Sequence, residues 1–420
     1  MKFNYLASAL AAALLALGTP NTMAQETAEM KEFTLEDLNF GGTNYRNMIP
    51  QNRRLTWWGD LLVRLDAKEC YLVDKKTGKE TVLFTVDEVN EWMGVSSDKG
   101  LRSLSGVSFP YADQSAVLVK FGGERRLVDF KQKKLVWHQS CANEYQASSF
   151  NTTSRHTAYV DGDQLYFRPA DGGKDIQLTT DGSREIVYGQ AVHRNEFGIH
   201  NGLFWSPDGM RLAFYRMDQS MVTDYPQVNL FGHIATHEPD KYPMAGQTSH
   251  EVTVGVYDVA ADKTLYLKAG DPKDRYFTNV AWSPDSKIVY MLELNRDQNH
   301  AQLVAYDAVT GKRTGVLLEE KNSKYVEPSH PIQFLPWDSN KFIYQSRNEG
   351  YNHIYLYSAD GTLIKKLTDG EFEVIDVLGF NEKKKTIVYT SNEANPIGKS
   401  TWSVDMKGRR TAIGSKEGWH

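Results

Sequence analysis

The stretch Phe204–Asp218, FWSPDGMRLAFYRMD, has a near twin at Ala281–Asn295, AWSPDSKIVYMLELN. Each runs aromatic, Ser-Pro-Asp, a small turn residue, a polar residue and then alternating apolar positions. Proline presets a turn φ, aspartate bonds nearby backbone N–H groups, and glycine accepts a positive φ. The alternation that follows has the period of two expected of a β-strand. Relaxed copies begin at Ser108 (SFPYADQSAVLVKF), Ser149 (SFNTTSRHTAYV), Gln333 (QFLPWDSNKFIYQS) and Gly379 (GFNEKKKTIVYTS). Their leading aromatics, Phe109, Phe150, Trp205, Trp282, Phe334 and Phe380, mostly recur at intervals of roughly 40–55 residues, a spacing found in blade repeats.

A second element follows each copy: a β-rich run, a polar turn and another β-rich run. Examples are YLVDKKTGKETVLF, VYDVAADKTLYL, VAYDAVTGKRTGVLL and YLYSADGTLIKKLTDG. Together the two hairpins make a four-stranded unit of about 50 residues. Such a unit cannot bury both faces alone, and radial stacking covers them while leaving short edges. Starting from the degenerate RLTWWGDLLVRLDAKECYLVDKKTGKETVLF, the hairpins predict about seven blades. A pair of β-sandwiches or a solenoid fits the period and the blade-like turns less well. Two insertions break the regularity around Trp205. One is Ser183–Gly202, SREIVYGQAVHRNEFGIHNG; the other is DQSMVTDYPQVNLFGHIATHEPDKYPMAGQTSHEVTV, inside the same unit. Long insertions in a regular repeat are where binding loops sit.

Composition narrows the class of partner. The net charge of -5 comes without any basic block, which argues against nucleic acid or an anionic membrane surface. Aromatic residues make up 12%, with 22 Tyr and 9 Trp, types that suit a pleated surface. Lys2 followed by the apolar run LASALAAALLALG and by Thr22-Met23-Ala24 reads as a signal peptide over residues 1–24. The run is shorter than the ~20 residues that span a bilayer, so the expectation is an exported chain, 25–420, periplasmic or extracellular, with no membrane span after cleavage. Cys70 and Cys141 are the two cysteines; a disulfide and two buried thiols both remain open.

Three segments in order, FWSPDGMRLAFYRMD, KYPMAGQTSHEVTVGVYD and QSRNEGYNHIYLYSADG, resemble the N-terminal β-propeller of the dipeptidyl peptidase IV family of the prolyl oligopeptidase clan. VHRNEFGI, YRMDQSMV and YPMAG are most similar to its bacterial prolyl tripeptidyl peptidase branch. Met244 and Ser249-His250 depart from the family's usual lysine and Asn-Pro. The resemblance covers about residues 30 to 420. It implies an all-β fold, a propeller of about seven to eight four-stranded blades with a short helical insertion. It also implies that the propeller gates access to an α/β-hydrolase domain, and that acidic residues on the insertion bind the free amine of peptide N-termini.

Carried onto this chain, the amine-binding positions fall at Asn195 and Glu196, with Arg194 beside them as a possible ion-pair partner of Glu196. One carboxylate in place of two suits tripeptidyl better than dipeptidyl specificity. Apart from the resemblance, Glu196 reads as an ordinary solvated residue. A clan hydrolase needs a G-x-S-x-G elbow followed by Asp and His, and no G-x-S-x-G occurs in the 420 residues. The expectation is no catalytic residue, no metal and no cofactor in this chain. It would be the gating and amine-anchoring part of a secreted serine exopeptidase, catalytically silent alone and partnered by a separate or downstream hydrolase domain. The alternative is a stand-alone exported propeller that binds peptides or proteins without chemistry.

Other features read as structural. His233, His237 and Glu238 have metal-like spacing but lack a helical stripe and a third ligand at useful spacing. His353 reads as a satisfied core histidine and Trp57-Trp58 as core packing. FTLEDLNF (33–40) reads as strand that completes the last blade.

Overall fold

The computed structural model describes residues 32–42, 44–48, 53–141, 144–415 and 418; the segment 1–24, expected from the sequence to be a signal peptide, lies outside them. The chain divides into two compact units. The first is Met1–Asn90 with Ser97–Ser105, and the second is Glu91–Ser96 with Gly106–His420.

The first unit holds one antiparallel sheet of Leu55–Trp58, Leu61–Leu65, Glu69–Val73 and Glu80–Thr85. Asp74 makes the predicted Asx turn between its last two strands by accepting from the N–H groups of Lys76 and Thr77. Two readings fail in this unit. FTLEDLNF is not strand: Thr34 caps a helical turn, Leu35–Leu38, in a reciprocal capping box with Asp37, and a polar residue three positions after Thr favours that cap over extension. Trp57 is 57% exposed rather than core, lying on the sheet's edge strand below the Lys75 ammonium. Cys70 is a buried free thiol, and burial pushes its pKa up to about 12.

The described residues of the second unit hold six blade sheets, besides two two-stranded pairings. Ala116–Phe121, Glu124–Asp129 and Lys134–Ser140 form the first, where the innermost strand is reduced to one bridge, Ser108 to Leu118. Four-stranded sheets follow at Ala147–Gln177, Arg275–Lys321, Gln333–Lys366 and Val374–Ile413. Between the first two of these lies a five-stranded sheet made of Ile186–Tyr188, Leu203–Trp205, Arg211–Asp218, Glu251–Asp258 and Lys263–Tyr266. With the sheet of the first unit these make seven blades, and the fold is an all-β propeller.

The repeated motif is the device that joins one blade to the next. The Trp205 indole N–H donates to Ser149 O of the preceding sheet (3.2 Å), and the Trp282 indole donates to Phe204 O (3.0 Å). Ser206 and Asp208 close their own turn, Ser206 Oγ donating to Asp208 Oδ1 at 2.6 Å. That turn docks on its successor: Asp208 N–H donates to Ser286 Oγ (3.2 Å) and Arg211 Nη1 to Ser286 O (3.3 Å). Faces covered in this way build continuous apolar layers, such as Ala213, Tyr215, Val254, Phe277, Met291 and Tyr306.

Both insertions belong to the five-stranded sheet. The first splits its inner strand: Ile186–Tyr188 and Leu203–Trp205 pair with opposite ends of Arg211–Asp218. At the break, Gly189 N–H donates to Tyr215 O (2.9 Å) and Tyr215 N–H to Gly202 O (3.0 Å). The segment 190–201 is therefore a loop that leaves and rejoins the ladder at a single residue. The second insertion is a two-stranded ribbon, Asp224–Tyr225 with Asp240–Lys241 and Val228–Asn229 with Thr236–His237. Its tip exposes Leu230, Phe231 and Ile234.

Candidate functional site

The loop 190–201 carries all three residues singled out in the sequence. The expected insertion helix is a single 3-10 turn, His193–Asn195, with left-handed backbone: φ is 53° at His193, 57° at Arg194 and 62° at Asn195. Phe197 (56°) and Gly198 (72°) are also left-handed. Each such non-glycine residue costs ~1–2 kcal/mol, so the surroundings must hold the turn in place.

They do so at several points. Phe197 is buried in an apolar cluster with Tyr290, Leu292 and Val326. Thr278 Oγ1 donates to Phe197 O at 3.4 Å. Gly198 lies so close to Ser329 that a Cβ would stand 2.1 Å from its carbonyl oxygen. Only glycine fits there. Behind the turn, the N–H of Phe277 donates to His193 Nε2 (3.1 Å), and His193 Nδ1 lies 2.8 Å from His250 Nε2.

Between these anchors Glu196 is exposed. Arg194 does not pair with it; the guanidinium binds Asp240 at 2.9 Å and lies 4.8 Å above the Tyr242 ring. Glu196 lines a cavity of about 160 Å3 with Arg194, Tyr242, Ser249, His250, Tyr276, Arg296 and Gln298. Arg296 donates through Nη2 to Gln247 O (3.0 Å), while its buried Nη1 makes no hydrogen bond and lies 3.5 Å from Asp274. Among the described residues no hydrogen bond or ion pair reaches the Glu196 carboxylate. Both cations in this cavity thus have an aspartate within ion-pair distance, whereas Glu196 has no cation within that distance among the described residues.

Asn195 lies one residue away but opens elsewhere. It lines a cavity of about 410 Å3 with Gln146, Ser148, Gln190, His200 and Asn201, and shares another of about 280 Å3 with Arg194 and Lys241. The adjacent pair expected from the sequence is therefore split between cavities. His193, His250, Tyr242, Tyr276 and Arg296 were not singled out as site residues. The signal for His250 was present, since Ser249-His250 is where the YPMAG segment departs from its family pattern.

The other residues weighed in the sequence lie apart from this loop. His233 and His237 lie on the exposed ribbon, where Glu238 accepts from Asn229 Nδ2 at 2.9 Å. Among the described residues no cluster of three metal-ligating side chains occurs. His353 is buried as predicted, its Nε2 3.0 Å from Gly370 O and its Nδ1 3.1 Å from Thr368 Oγ1. No helix among the described residues is long and apolar enough to cross a membrane.

Comparison with known proteins bears on the fold and the family. The sequence profile of the dipeptidyl peptidase IV (DPP IV) N-terminal region matches residues 112–420. A Phaeosphaeria nodorum protein assigned as a dipeptidyl-aminopeptidase B is 30% identical over 294 residues, covering 63% of this chain and 32% of that protein. Its Pyrenophora teres f. teres counterpart is 26% identical, covering 91% of this chain and 47% of its own length. Among solved structures, a Bacteroides ovatus protein assigned as a dipeptidyl aminopeptidase IV superposes with a TM-score of 0.82 at 39% identity, over 90% of this chain and 55% of that one. Dipeptidyl peptidase 4 of Porphyromonas gingivalis shares the fold, with a TM-score of 0.71 at 22% identity over 91% of this chain and 55% of its own. The chain spans about half or less of the length of these relatives. Seven blades, the interblade tryptophans and the profile match lead to one assignment: the chain belongs to the dipeptidyl peptidase IV family, as its N-terminal β-propeller region.

Proposed function

We propose that this chain is the substrate-gating part of an exported serine exopeptidase, and that Glu196 anchors the free N-terminal amine of the peptide. The reading rests on one observation above all: Glu196 lines a small polar cavity with no cation within ion-pair distance among the described residues, on a backbone turn fixed from behind. A carboxylate held there attracts an ammonium by ~1 kcal/mol at 4 Å in water and by about 4 kcal/mol at a surface-type dielectric. Such an anchor fixes the distance from the amine to any cleaved bond, which is what defines an exopeptidase. Asn195, a neutral amide facing a separate cavity, contributes polarity without a second charge, and a single carboxylate favours the tripeptidyl type. Arg194 shapes the cavity wall through Asp240 and Tyr242. With no G-x-S-x-G in the sequence, the role assigned to these residues is binding, and hydrolysis belongs to an α/β-hydrolase domain.

Calorimetric titration of the full chain with triglycine and with N-acetyl-triglycine tests this. The free amine should bind about tenfold more tightly than the acetylated peptide, and Glu196→Gln should abolish the difference, a change of ~1.4 kcal/mol. Equal affinity of the wild-type protein for both peptides would rule the anchor out.

A further inference from the structure

The left-handed turn that carries Glu196 has little reason of its own to exist, and two buried histidines lie directly behind it. His193 is 2% exposed and His250 6%. They come from different insertions, His193 from the loop and His250 from the segment that returns from the ribbon. Phe277, whose N–H completes the chain of contacts, belongs to the strand Arg275–Trp282 of the next sheet. Three separate segments therefore meet at two imidazoles.

Hydrogen-bond direction fixes the protons. Phe277 N–H donates to His193 Nε2, so that nitrogen carries no proton. A neutral His193 then holds its proton on Nδ1 and donates it to His250 Nε2 at 2.8 Å. His250 in turn holds its own proton on Nδ1. The rings are nearly coplanar, 28° apart, and Tyr276 packs edge-on against His193. Every member of the relay donates in one direction.

We propose that His193 and His250 are positioning residues: their relay from Phe277 clamps the left-handed turn so that Glu196 enters one cavity and Asn195 another. This rests on Glu196 acting as the amine anchor. His250 lines both the Glu196 cavity and the cavity shared by Arg194 and Asn195, so it stands at the partition between them. Removing its acceptor leaves a buried Nδ1–H on His193 without a partner, and an unmade buried hydrogen bond is released by moving the loop. Adding a proton has a similar effect. A charged His193 would turn Nε2–H against the Phe277 N–H, and a charged His250 would turn Nε2–H against His193 Nδ1–H. The titratable and charged groups around the pair are Arg194 and Glu196 on the loop, Asp240, Lys241 and Tyr242 on the ribbon and its return, Tyr276 on the strand, and Arg296 on the following turn.

The test joins a spectroscopic arm to a binding arm. In protein labelled with 15N-histidine, two of the 11 histidines should show the Nδ1–H tautomer and should not titrate between pH 8 and 5. In the calorimetric assay, His250→Phe should lose about tenfold in preference for triglycine over N-acetyl-triglycine. His250→Gln, which returns an acceptor to His193, should recover it to within roughly threefold. Ordinary titration near pH ~6.5 by all the histidines, or wild-type discrimination by His250→Phe, overturns the inference. A His250→Phe protein that does not fold leaves the decision to the His250→Gln variant and the labelled wild type. If Glu196→Gln leaves discrimination unchanged, the anchor reading fails; if it abolishes discrimination while His250→Phe does not, only the clamp fails.

Discussion

The indole N–H of Trp282 donates to the main-chain carbonyl of Phe204, 3.0 Å away in the preceding blade. Trp205 repeats the contact one blade earlier, on Ser149 O. The aromatic that opens each strong repeat is therefore a bolt between sheets as well as packing. Trp282→Phe keeps the ring in the apolar layer but removes the hydrogen bond between blades, while Phe204 stays paired with Ala213 in its own sheet. It should destabilise the protein by about 0.5–1.5 kcal/mol, read as a lower urea midpoint with an unchanged slope.

Gly202→Ala tests the neck of the loop. A Cβ there would stand 2.2 Å from Gln190 O, so the loop could no longer close on Tyr215. Overpacking of this kind costs about 1–3 kcal/mol. Chemical denaturation should show that loss, and the preference for a free amine should disappear with it. A variant as stable as the wild type would mean that the neck is loose.

Stability should fall with acid in a defined window. Burial first, then the Arg296 and Arg194 charges, holds the His250 pKa down to about 4. Burial first, then His250, holds His193 well below its ordinary value. In the unfolded chain a histidine titrates near ~6.5, so as pH drops the unfolded state takes up protons first. The contribution is complete above pH ~6.5 and is lost progressively towards the folded value. For His250 the loss between pH 7.5 and 5 is about 2 kcal/mol. Unfolding free energies at those two pH values should fall less in His250→Gln than in the wild type; identical slopes would contradict this.

Glu293 is a buried carboxylate of the blade that carries Trp282. It is 6% exposed, accepts from the Tyr306 hydroxyl and pairs with Arg275, which is itself about a quarter exposed. Removing one member of a buried pair costs ~3–5 kcal/mol, and the partial exposure of Arg275 puts Glu293→Ala near the lower end. Glu293→Gln, which keeps an acceptor for Tyr306, should lose clearly less. Differential scanning calorimetry of the two variants separates these outcomes.

Much of the fold was legible in the chain because its repeat is local. The turn of Ser206-Pro207-Asp208-Gly209 and the alternation after it depend on neighbours in sequence, and the aspartate hairpin turns do as well. The loop 190–201 was located by its break in the period and by the resemblance of VHRNEFGI. Its shape was not legible. Whether Gly189 and Gly202 meet depends on the main chain of Tyr215, which no pattern of side chains reveals. The same holds for His193 and His250, brought together across two insertions, and for Arg194, whose aspartate partner lies on the ribbon and not beside it. FTLEDLNF misled because its apolar residues suit a strand, while the Thr34–Asp37 cap selects a helical turn. Trp57 misled because size alone does not bury a side chain on an edge strand.

Both ends of the loop are moored to the main chain of one residue, the N–H and the C=O of Tyr215. Its length is thereby uncoupled from the register of the sheet. Residues added or deleted between the two glycines leave every rung on either side in place. The scaffold can exchange one recognition element for another of different reach without refitting its core, so new specificities at this spot are structurally inexpensive to evolve or to graft.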